Sequence, residues 1–317
     1  MIYEKRKIII DTDPGIDDAV ALALALFSDK LDVKLISTVS GNVSLEKVTL
    51  NTLKLLNLFD KNIPVAKGST RPLIKKAIDA SDIHGETGMD GYDFKQVDES
   101  LIVKQHAVEA IRNVITENIA NNSKITIVAI GPLTNIALAI RTYPEIIYGI
   151  EELVIMGGSL GRGNSGVLSE FNFDCDAEAA KIVFDTATES GMKVTVTPLD
   201  VGLKALVYPE ESEQIKNMNI IGDMFYHLFK KYRGGSFGTG LKMYDSCAIA
   251  YILCPECFTI ERTYVDIETT GTLTYGASII DLRNYMKKPA NARVCIDINE
   301  NIFKQWFMKS IAEFNIN

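Results

Sequence analysis

Residues 8–24 read IIIDTDPGIDDAVALAL, a short apolar run and an apolar helix-forming stretch joined by a Pro-Gly turn among four aspartates. The isoleucines predict a buried strand and the stretch from Ala19 predicts a buried helix. The aspartates therefore lie at the carboxyl end of a strand, where open α/β sheets bind their ligands. They are Asp11, Asp13, Asp17 and Asp18. Helix capping explains one or two of them. Four carboxylates here indicate a cation with oxygen ligands, Ca²⁺ or Mg²⁺.

Strands and helices alternate along the chain, and no linker rich in Ser, Pro or Gly interrupts them. The expected strands cover residues 8–10, 33–39, 125–130, 153–156, 193–196 and 293–298. One expected helix begins at residue 19, and the others cover residues 45–59, 133–139, 177–187 and 302–314. This alternation predicts one α/β, Rossmann-like domain over residues 1–317, with a mostly parallel central sheet flanked by helices.

The bulk composition limits the class of partner and the compartment. A formal net charge of −8 and a pI near 5.1 argue against nucleic acid or an anionic membrane as partner, so a small neutral or cationic ligand is expected. No apolar stretch is long enough for a signal peptide or a membrane span. Five cysteines, an odd number without framework spacing, indicate a reducing cytoplasm, and the CxxC at Cys254 and Cys257 is interpreted as structural.

Further polar residues follow other expected strands, on Gly-rich segments that would meet the aspartates at the same sheet edge. These residues are Asn42, His84, Asn164, Glu170, Asn172 and Asp245. Each has a local explanation by itself, such as a turn residue or a helix cap. Together they favour a site in which an Asn/Glu/Asn set beside a divalent cation binds the vicinal hydroxyls of a sugar.

On these motifs the chain resembles the inosine-uridine preferring nucleoside hydrolase family over nearly its full length. The blocks that carry the resemblance are DTDPGIDDA at 11–19, GN at 41–42, DIHG at 82–85, GPLTN at 131–135, MGG at 156–158, EFN at 170–172 and YD at 244–245. The resemblance implies hydrolysis of the N-glycosidic bond of ribonucleosides, by way of a ribosyl cation with oxocarbenium character.

The resemblance also implies roles for individual residues. It implies a Ca²⁺ held by Asp13, Asp18, the backbone carbonyl of Ile130 and Asp245, with Asp13 as general base. The implied substrate-binding residues are Asp17 and Asn172 at the ribose hydroxyls, Asn164 and Glu170 at the 5′-hydroxyl, Phe171 next to Glu170 in the same block, Asn42, Met156 and His84 along the pocket, and Tyr232 on a lid helix near the base.

The chain departs from the family at Tyr244. The commonest branch has a histidine there, which is assigned to protonating the departing base, and a purine-preferring branch has a tryptophan. A phenol can donate a proton or a hydrogen bond, although less readily than an imidazolium. The acid that assists the leaving group therefore stays open among Tyr244, Tyr232, His84 and a chain of waters.

Two other functions compete with this interpretation. One is a Ca²⁺-dependent ribose- or nucleoside-binding protein that has lost catalysis. The other is an aspartate-based phosphohydrolase, suggested by Asp11 and Asp13, although Gly15 and the downstream sequence do not fit that class. The resemblance further implies a homo-oligomer, either a dimer or a tetramer. The base preference among uridine, cytidine, inosine and adenosine is left open.

Overall fold

The computed structural model describes residues 4–95, 97–236 and 238–315. Its strands are β1 (Arg6–Thr12), β2 (Leu31–Thr38), β3 (Val65–Lys67), β4 (Ile125–Ala129), β5 (Ile150–Met156), β6 (Val194–Thr197), β7 (Leu206–Val207), β8 (Gly235–Ser236), β9 (Gly240–Lys242), β10 (Phe258–Thr263), β11 (Val265–Ile267), β12 (Ser278–Ile280) and β13 (Ala292–Ile298).

The α-helices are α1 (Ile16–Leu26), α2 (Leu45–Phe59), α3 (Ser81–His84), α4 (Ala107–Ala120), α5 (Thr134–Thr142), α6 (Phe171–Cys175), α7 (Ala177–Ser190), α8 (Leu199–Gly202), α9 (Pro209–Lys216), α10 (Ile220–Phe229), α11 (Tyr244–Leu253) and α12 (Glu300–Ala312). Within the described residues, no helix has the length and apolarity needed to cross a membrane.

Eight strands form the central sheet in the order β10-β13-β6-β5-β4-β1-β2-β3. All neighbouring pairs are parallel except β10 with β13, which is antiparallel. The predicted α/β fold with a mostly parallel sheet is therefore confirmed. Two small sheets, β11-β12 and β7-β9-β8, stand apart from it.

Apolar side chains cover both faces of this sheet. In β1, Ile8 and Ile10 belong to one hydrophobic core and Ile9 to a second, because successive side chains of a strand point to opposite faces. Helices α1 and α11 contribute to the first core, and α4, α5 and α7 to the second. A strand buried on both faces needs an uninterrupted apolar run, which explains the three consecutive isoleucines.

The sequence located these elements well and their ends less well. Each expected strand and helix is present, with boundaries that differ by up to three residues. For example, the strand expected over 153–156 begins at Ile150, and the helix expected over 302–314 is Glu300–Ala312. The carboxyl ends of β1, β2, β4 and β5 lie side by side, so the loops that follow them meet at one edge.

Candidate active site

The N-termini of two helices bring three carboxylates together at the edge of the sheet where β1, β2, β4 and β5 end. Asp17 and Asp18 lie in the first turn of α1, and Asp245 lies in the first turn of α11, which packs against α1. One oxygen from each carboxylate lies within 4.8 Å of the others, and all three side chains are buried. Negative groups are stabilised at helix N-termini, so each helix helps to hold its own aspartate.

Asn42 connects this cluster with Asp13. Its backbone N–H donates to Oδ2 of Asp13 at 2.7 Å. Its side-chain Nδ2 donates to the backbone oxygen of Asp13 at 3.1 Å and to Oδ2 of Asp18 at 3.0 Å. Asp18 also accepts from Oγ1 of Thr12 at 2.7 Å and from the N–H of Gly15 at 2.9 Å. Asn42, which was predicted to line the pocket, therefore also orients two carboxylates.

Asp13 has one oxygen without a partner. Its Oδ1 is buried and accepts no hydrogen bond from any described residue. A Cβ on Gly131 would lie 2.6 Å from this oxygen, so the glycine after β4 keeps the space beside it free. Buried polar atoms without partners are rare in proteins, and such an oxygen usually marks a missing ligand or water.

Burial raises the pKa values of all four aspartates, and repulsion between carboxylates adds to the rise for Asp13, Asp17 and Asp245. Burial, followed by the charge of Asp18, raises the pKa of Asp13 well above its ordinary value and that of Asp17 to about 8. Burial and the charges of Asp17 and Asp18 likewise raise the pKa of Asp245. Among the described residues, no lysine or arginine forms an ion pair with these groups.

A divalent cation fits this set of donors. The cation would supply the positive charge that no described lysine or arginine provides to these carboxylates. Carboxylate oxygens are also ligands for Ca²⁺ or Mg²⁺. The geometry groups Asp17, Asp18 and Asp245 and does not include Asp13, whose Oδ1 is buried without a partner. The carbonyl of Ile130 follows β4 and accepts a hydrogen bond from Nδ2 of Asn172 at 3.1 Å.

The loop after β5 forms the next wall of the site. Glu170 is the N-cap of α6, and its two oxygens accept from the N–H groups of Gly158, Asn172 and Phe173 at 2.9–3.2 Å. Burial raises its pKa to about 7 in spite of these hydrogen bonds. Asn164 accepts from the N–H of Phe171 at 2.9 Å. Glu170 and Asn164 therefore shape the loop that presents Asn172.

His84 is held in one tautomer. The N–H of Ile16 donates to its Nδ1 at 3.1 Å, so the ring proton of the neutral imidazole lies on Nε2. Burial lowers the pKa of His84 to about 3. Although Nδ1 lies 3.9 Å from Oδ1 of Asp17, this contact is not an ion pair, because the imidazole is neutral and Nδ1 is already an acceptor. His84 can donate a hydrogen bond from Nε2, but it is not a charged acid.

Two tyrosines also line the site. The Tyr232 ring lies 5.3 Å from the His84 ring, centre to centre, and its hydroxyl donates to the backbone oxygen of Lys242 at 3.1 Å. The prediction that Tyr232 lies on a helix is wrong, because α10 ends at Phe229 and the chain then turns. Tyr244 is the first residue of α11, and its hydroxyl has no hydrogen-bond partner among the described residues. Burial, followed by the charge of Asp17, raises the pKa of Tyr244 and keeps its hydroxyl protonated.

These groups line one cavity of about 250 Å³. The predicted residues in its wall are Asp17, Asn42, His84, Ile130, Met156, Asn164, Glu170, Phe171, Asn172, Tyr232, Tyr244 and Asp245. Asp13 and Asp18 do not line the cavity and lie buried next to its wall, in contact with Asn42. The sequence did not predict the cationic residues Arg233 and Lys242 in the wall, because no motif or strand-end position distinguished them.

The chain is similar to known enzymes over nearly its whole length. The model of the family described as inosine-uridine preferring nucleoside hydrolase matches residues 8–305. The non-specific ribonucleoside hydrolase RihC of Klebsiella pneumoniae strain 342 is 45% identical over 305 residues, which are 96% of this chain and 98% of the relative. The enzyme of the same name from Salmonella enteritidis PT4 is 44% identical, covering 96% and 97%.

A solved structure agrees with these sequence relatives. The purine-preferring ribonucleoside hydrolase from Gardnerella vaginalis matches with a TM-score of 0.88 and 26% identity, covering 98% of this chain and 99% of that chain. The fold and the acidic site at the sheet edge thus define an N-ribohydrolase, a glycosidase that acts on ribonucleosides. The chain belongs to the inosine-uridine preferring nucleoside hydrolase family. This membership confirms the predicted family and enzyme class, and it favours neither the non-catalytic binding protein nor the phosphohydrolase.

Proposed function

We propose that this chain hydrolyses ribonucleosides to free base and ribose in a Ca²⁺-dependent reaction with Asp13 as general base. The main support for this proposal is the buried carboxylate cluster, which has no cationic partner among the described residues. The cluster and the unpartnered oxygen of Asp13 lie beside a cavity large enough for a nucleoside. The relatives named as non-specific ribonucleoside hydrolases support activity on both purine and pyrimidine nucleosides.

Asp13, Asp18, Asp245 and the Ile130 carbonyl are the proposed metal ligands. Asp17 also belongs to the cluster. It lines the cavity, and we propose that its carboxylate binds a ribose hydroxyl. Bound calcium would supply positive charge beside the ribose hydroxyls and would increase the acidity of a nearby water. The preference for oxygen ligands and the absence of cysteine or histidine from the described cluster favour Ca²⁺ over zinc.

Asp13 accepts a proton from the water that attacks C1′. Its Oδ2 is fixed by the N–H of Asn42, so Oδ1 is the oxygen available for this proton. The C–N bond breaks as the new C–O bond forms, and positive charge develops on the ribosyl ring. Asp17 and Glu170 stabilise this charge, and Asn172 fixes the ribose with Asn164 and Phe171 at the 5′ side.

Tyr244 and His84, which both line the cavity, are assigned to the departing base. Tyr244 carries a protonated hydroxyl without a protein partner, so it is the proposed proton donor. His84 is assigned a hydrogen bond from Nε2–H to the base, because it stays neutral near pH 7. Met156 and Tyr232 pack around the nucleoside, and the Tyr232 hydroxyl is already engaged with Lys242.

The assembly and location are also proposals. We propose that residues 1–317 form one catalytic domain, which is supported by the family match to residues 8–305. The domain would work in the cytoplasm as a homo-oligomer, a dimer or a tetramer. Size-exclusion chromatography with light scattering measures the number of copies.

A nucleoside panel tests the proposed reaction. Uridine, cytidine, inosine and adenosine are incubated with the enzyme and Ca²⁺, with and without inorganic phosphate, and free base and reducing sugar are measured. Equal amounts of base and ribose, independent of phosphate, are expected. Formation of ribose 1-phosphate would make the enzyme a phosphorylase, and binding without release of base would make it a binding protein. Activity on p-nitrophenyl phosphate would instead support a phosphohydrolase.

A further inference from the structure

The cavity wall contains both acidic and cationic residues. Asp17, Glu170 and Asp245 are acidic, and the cationic Arg233 and Lys242 belong to the segment between Tyr232 and Tyr244. Cleavage of an N-glycosidic bond leaves positive charge on the sugar and negative charge on the base. The two cationic residues are therefore the candidates in the wall to contact the base.

The two cations are not equivalent. The N–H of Arg233 donates to the backbone oxygen of Ile83 at 3.0 Å, and its Nη1 donates to that of Asp82 at 3.3 Å. Arg233 therefore joins two walls of the cavity. The ammonium of Lys242, by contrast, forms no hydrogen bond or ion pair with any described residue.

The backbone of Lys242 is fixed on both sides. Its N–H donates to the carbonyl oxygen of Gly234 at 3.3 Å, and its own carbonyl oxygen accepts from the Tyr232 hydroxyl at 3.1 Å. Its neighbour Leu241 is buried in the core, whereas Lys242 is half-buried. Successive side chains of a strand point to opposite faces, which explains this difference within β9. A lysine on a fixed strand, without a protein partner and in the wall of a substrate cavity, is available to the substrate.

We propose that Lys242 reads the base, by donating a hydrogen bond to the exocyclic oxygen at the position where cytosine and adenine carry an amino group. Uracil and hypoxanthine have an oxygen there, and they are the bases of the two nucleosides in the family description. An ammonium has three donors and no acceptor, so it binds this oxygen and finds no acceptor in an amino group. The inference rests on the proposed ribonucleoside hydrolysis and adds a residue that determines specificity.

The test compares two pairs of substrates. The specificity constant kcat/KM is measured for uridine against cytidine and for inosine against adenosine, in the wild type and in Lys242→Met, Lys242→Gln and Lys242→Arg. Lys231→Met is the matched control, since Lys231 is an exposed lysine that directly precedes this segment and lies outside the cavity wall. A p-nitrophenyl riboside, which has no such exocyclic oxygen, reports on catalysis without base reading.

We expect Lys242→Met to lower the uridine-to-cytidine and inosine-to-adenosine ratios about tenfold, because discrimination by a hydrogen-bonding group is lost with that group. Lys242→Gln lowers both ratios as well, since an amide offers a donor and an acceptor. Lys242→Arg keeps most of the preference, and Lys231→Met keeps all of it. Turnover of the p-nitrophenyl riboside falls less than that of uridine and inosine in each folded Lys242 variant.

Unchanged ratios in Lys242→Met and Lys242→Gln would overturn the inference. Equal loss on all substrates, including the p-nitrophenyl riboside, would also overturn it and make Lys242 a structural residue. If the methionine variant does not fold, as judged by its melting temperature, the glutamine variant decides. A wild-type enzyme without activity on any ribonucleoside would refute the proposed function itself, which is a separate result.

Discussion

The backbone N–H of Ile16, the first residue of α1, donates a hydrogen bond to Nδ1 of His84 at 3.1 Å. This contact joins helix α3, which ends at His84, to helix α1, which carries Asp17 and Asp18. It also places the imidazole proton on Nε2 and leaves no site for a second proton without breaking the bond. His84 is therefore a neutral donor in this active site.

The neutral His84 predicts a specific dependence of stability on pH. Burial lowers the pKa of His84 from 6.5 to about 3, so below pH 6.5 unfolding binds a proton at this residue. Its contribution to the free energy of unfolding is therefore lost as pH falls from 6.5 toward 3, by about 2 kcal/mol at pH 5.

Urea unfolding at pH 7.5 and pH 5.0, with saturating Ca²⁺, measures this effect. The wild type loses more stability on acidification than His84→Gln. The same loss in both proteins would contradict a neutral His84.

Tyr244→Phe should slow nucleosides much more than an activated riboside. Uracil and hypoxanthine need help to depart, whereas p-nitrophenolate is a stable anion. Loss of the main proton donor costs about 10²-fold or more in kcat. Steady-state rates on uridine, inosine and p-nitrophenyl riboside measure the difference. Unchanged nucleoside turnover would move the acid to Tyr232, His84 or a water, and equal slowing of all three would make Tyr244 a packing residue.

Calcium should stabilise the folded chain and bind once per chain. The pKa values of the cluster are raised by burial and repulsion, and a cation relieves both, so added Ca²⁺ raises the melting temperature. Asp18→Ala removes a carboxylate and should abolish this rise together with activity. Asp29→Asn, a change at an exposed aspartate, is the control. Full turnover of a metal-stripped sample in excess chelator would show that no metal is needed.

Ribonucleosides should be hydrolysed far faster than 2′-deoxyribonucleosides. Asp17 and the proposed metal would bind the 2′-hydroxyl, and polar groups left without that partner cost transition-state stabilisation. The ratio of kcat/KM for uridine and deoxyuridine measures the contribution, and it is expected to be at least about 10³. Equal rates on the two substrates would place the 2′-hydroxyl outside the binding site.

The strand, turn and helix of residues 6–26 could be predicted from sequence because their signals are local. Three isoleucines require burial on both faces, and Pro14-Gly15 ends the strand. The same holds for Asp245, which opens an apolar helix. The local sequence around such residues is enough to predict their structure. Their position at one edge follows because the carboxyl ends of parallel strands meet there.

The segment from Tyr232 to Lys242 could not be predicted in the same way. Its strands β8 and β9 are two and three residues long, too short for a periodic signal. Gly235, the first residue of β8, has a φ of 143°, a backbone conformation that glycine adopts without strain. The position of Lys242 depends on tertiary contacts with Tyr232 and Gly234, and no pattern along the chain encodes those contacts.

The most direct test of the account is the release of uracil from uridine by the wild type and by Asp13→Asn, in phosphate-free buffer with Ca²⁺. Calcium content and melting temperature are measured on the same samples, so that loss of catalysis is separated from loss of metal or fold. The wild type is expected to release uracil and reducing sugar in equal amounts, and Asp13→Asn is expected to be slower by about 10²–10⁴-fold. An Asp13→Asn enzyme with wild-type turnover, or a wild type that releases no uracil, would contradict hydrolysis with Asp13 as general base.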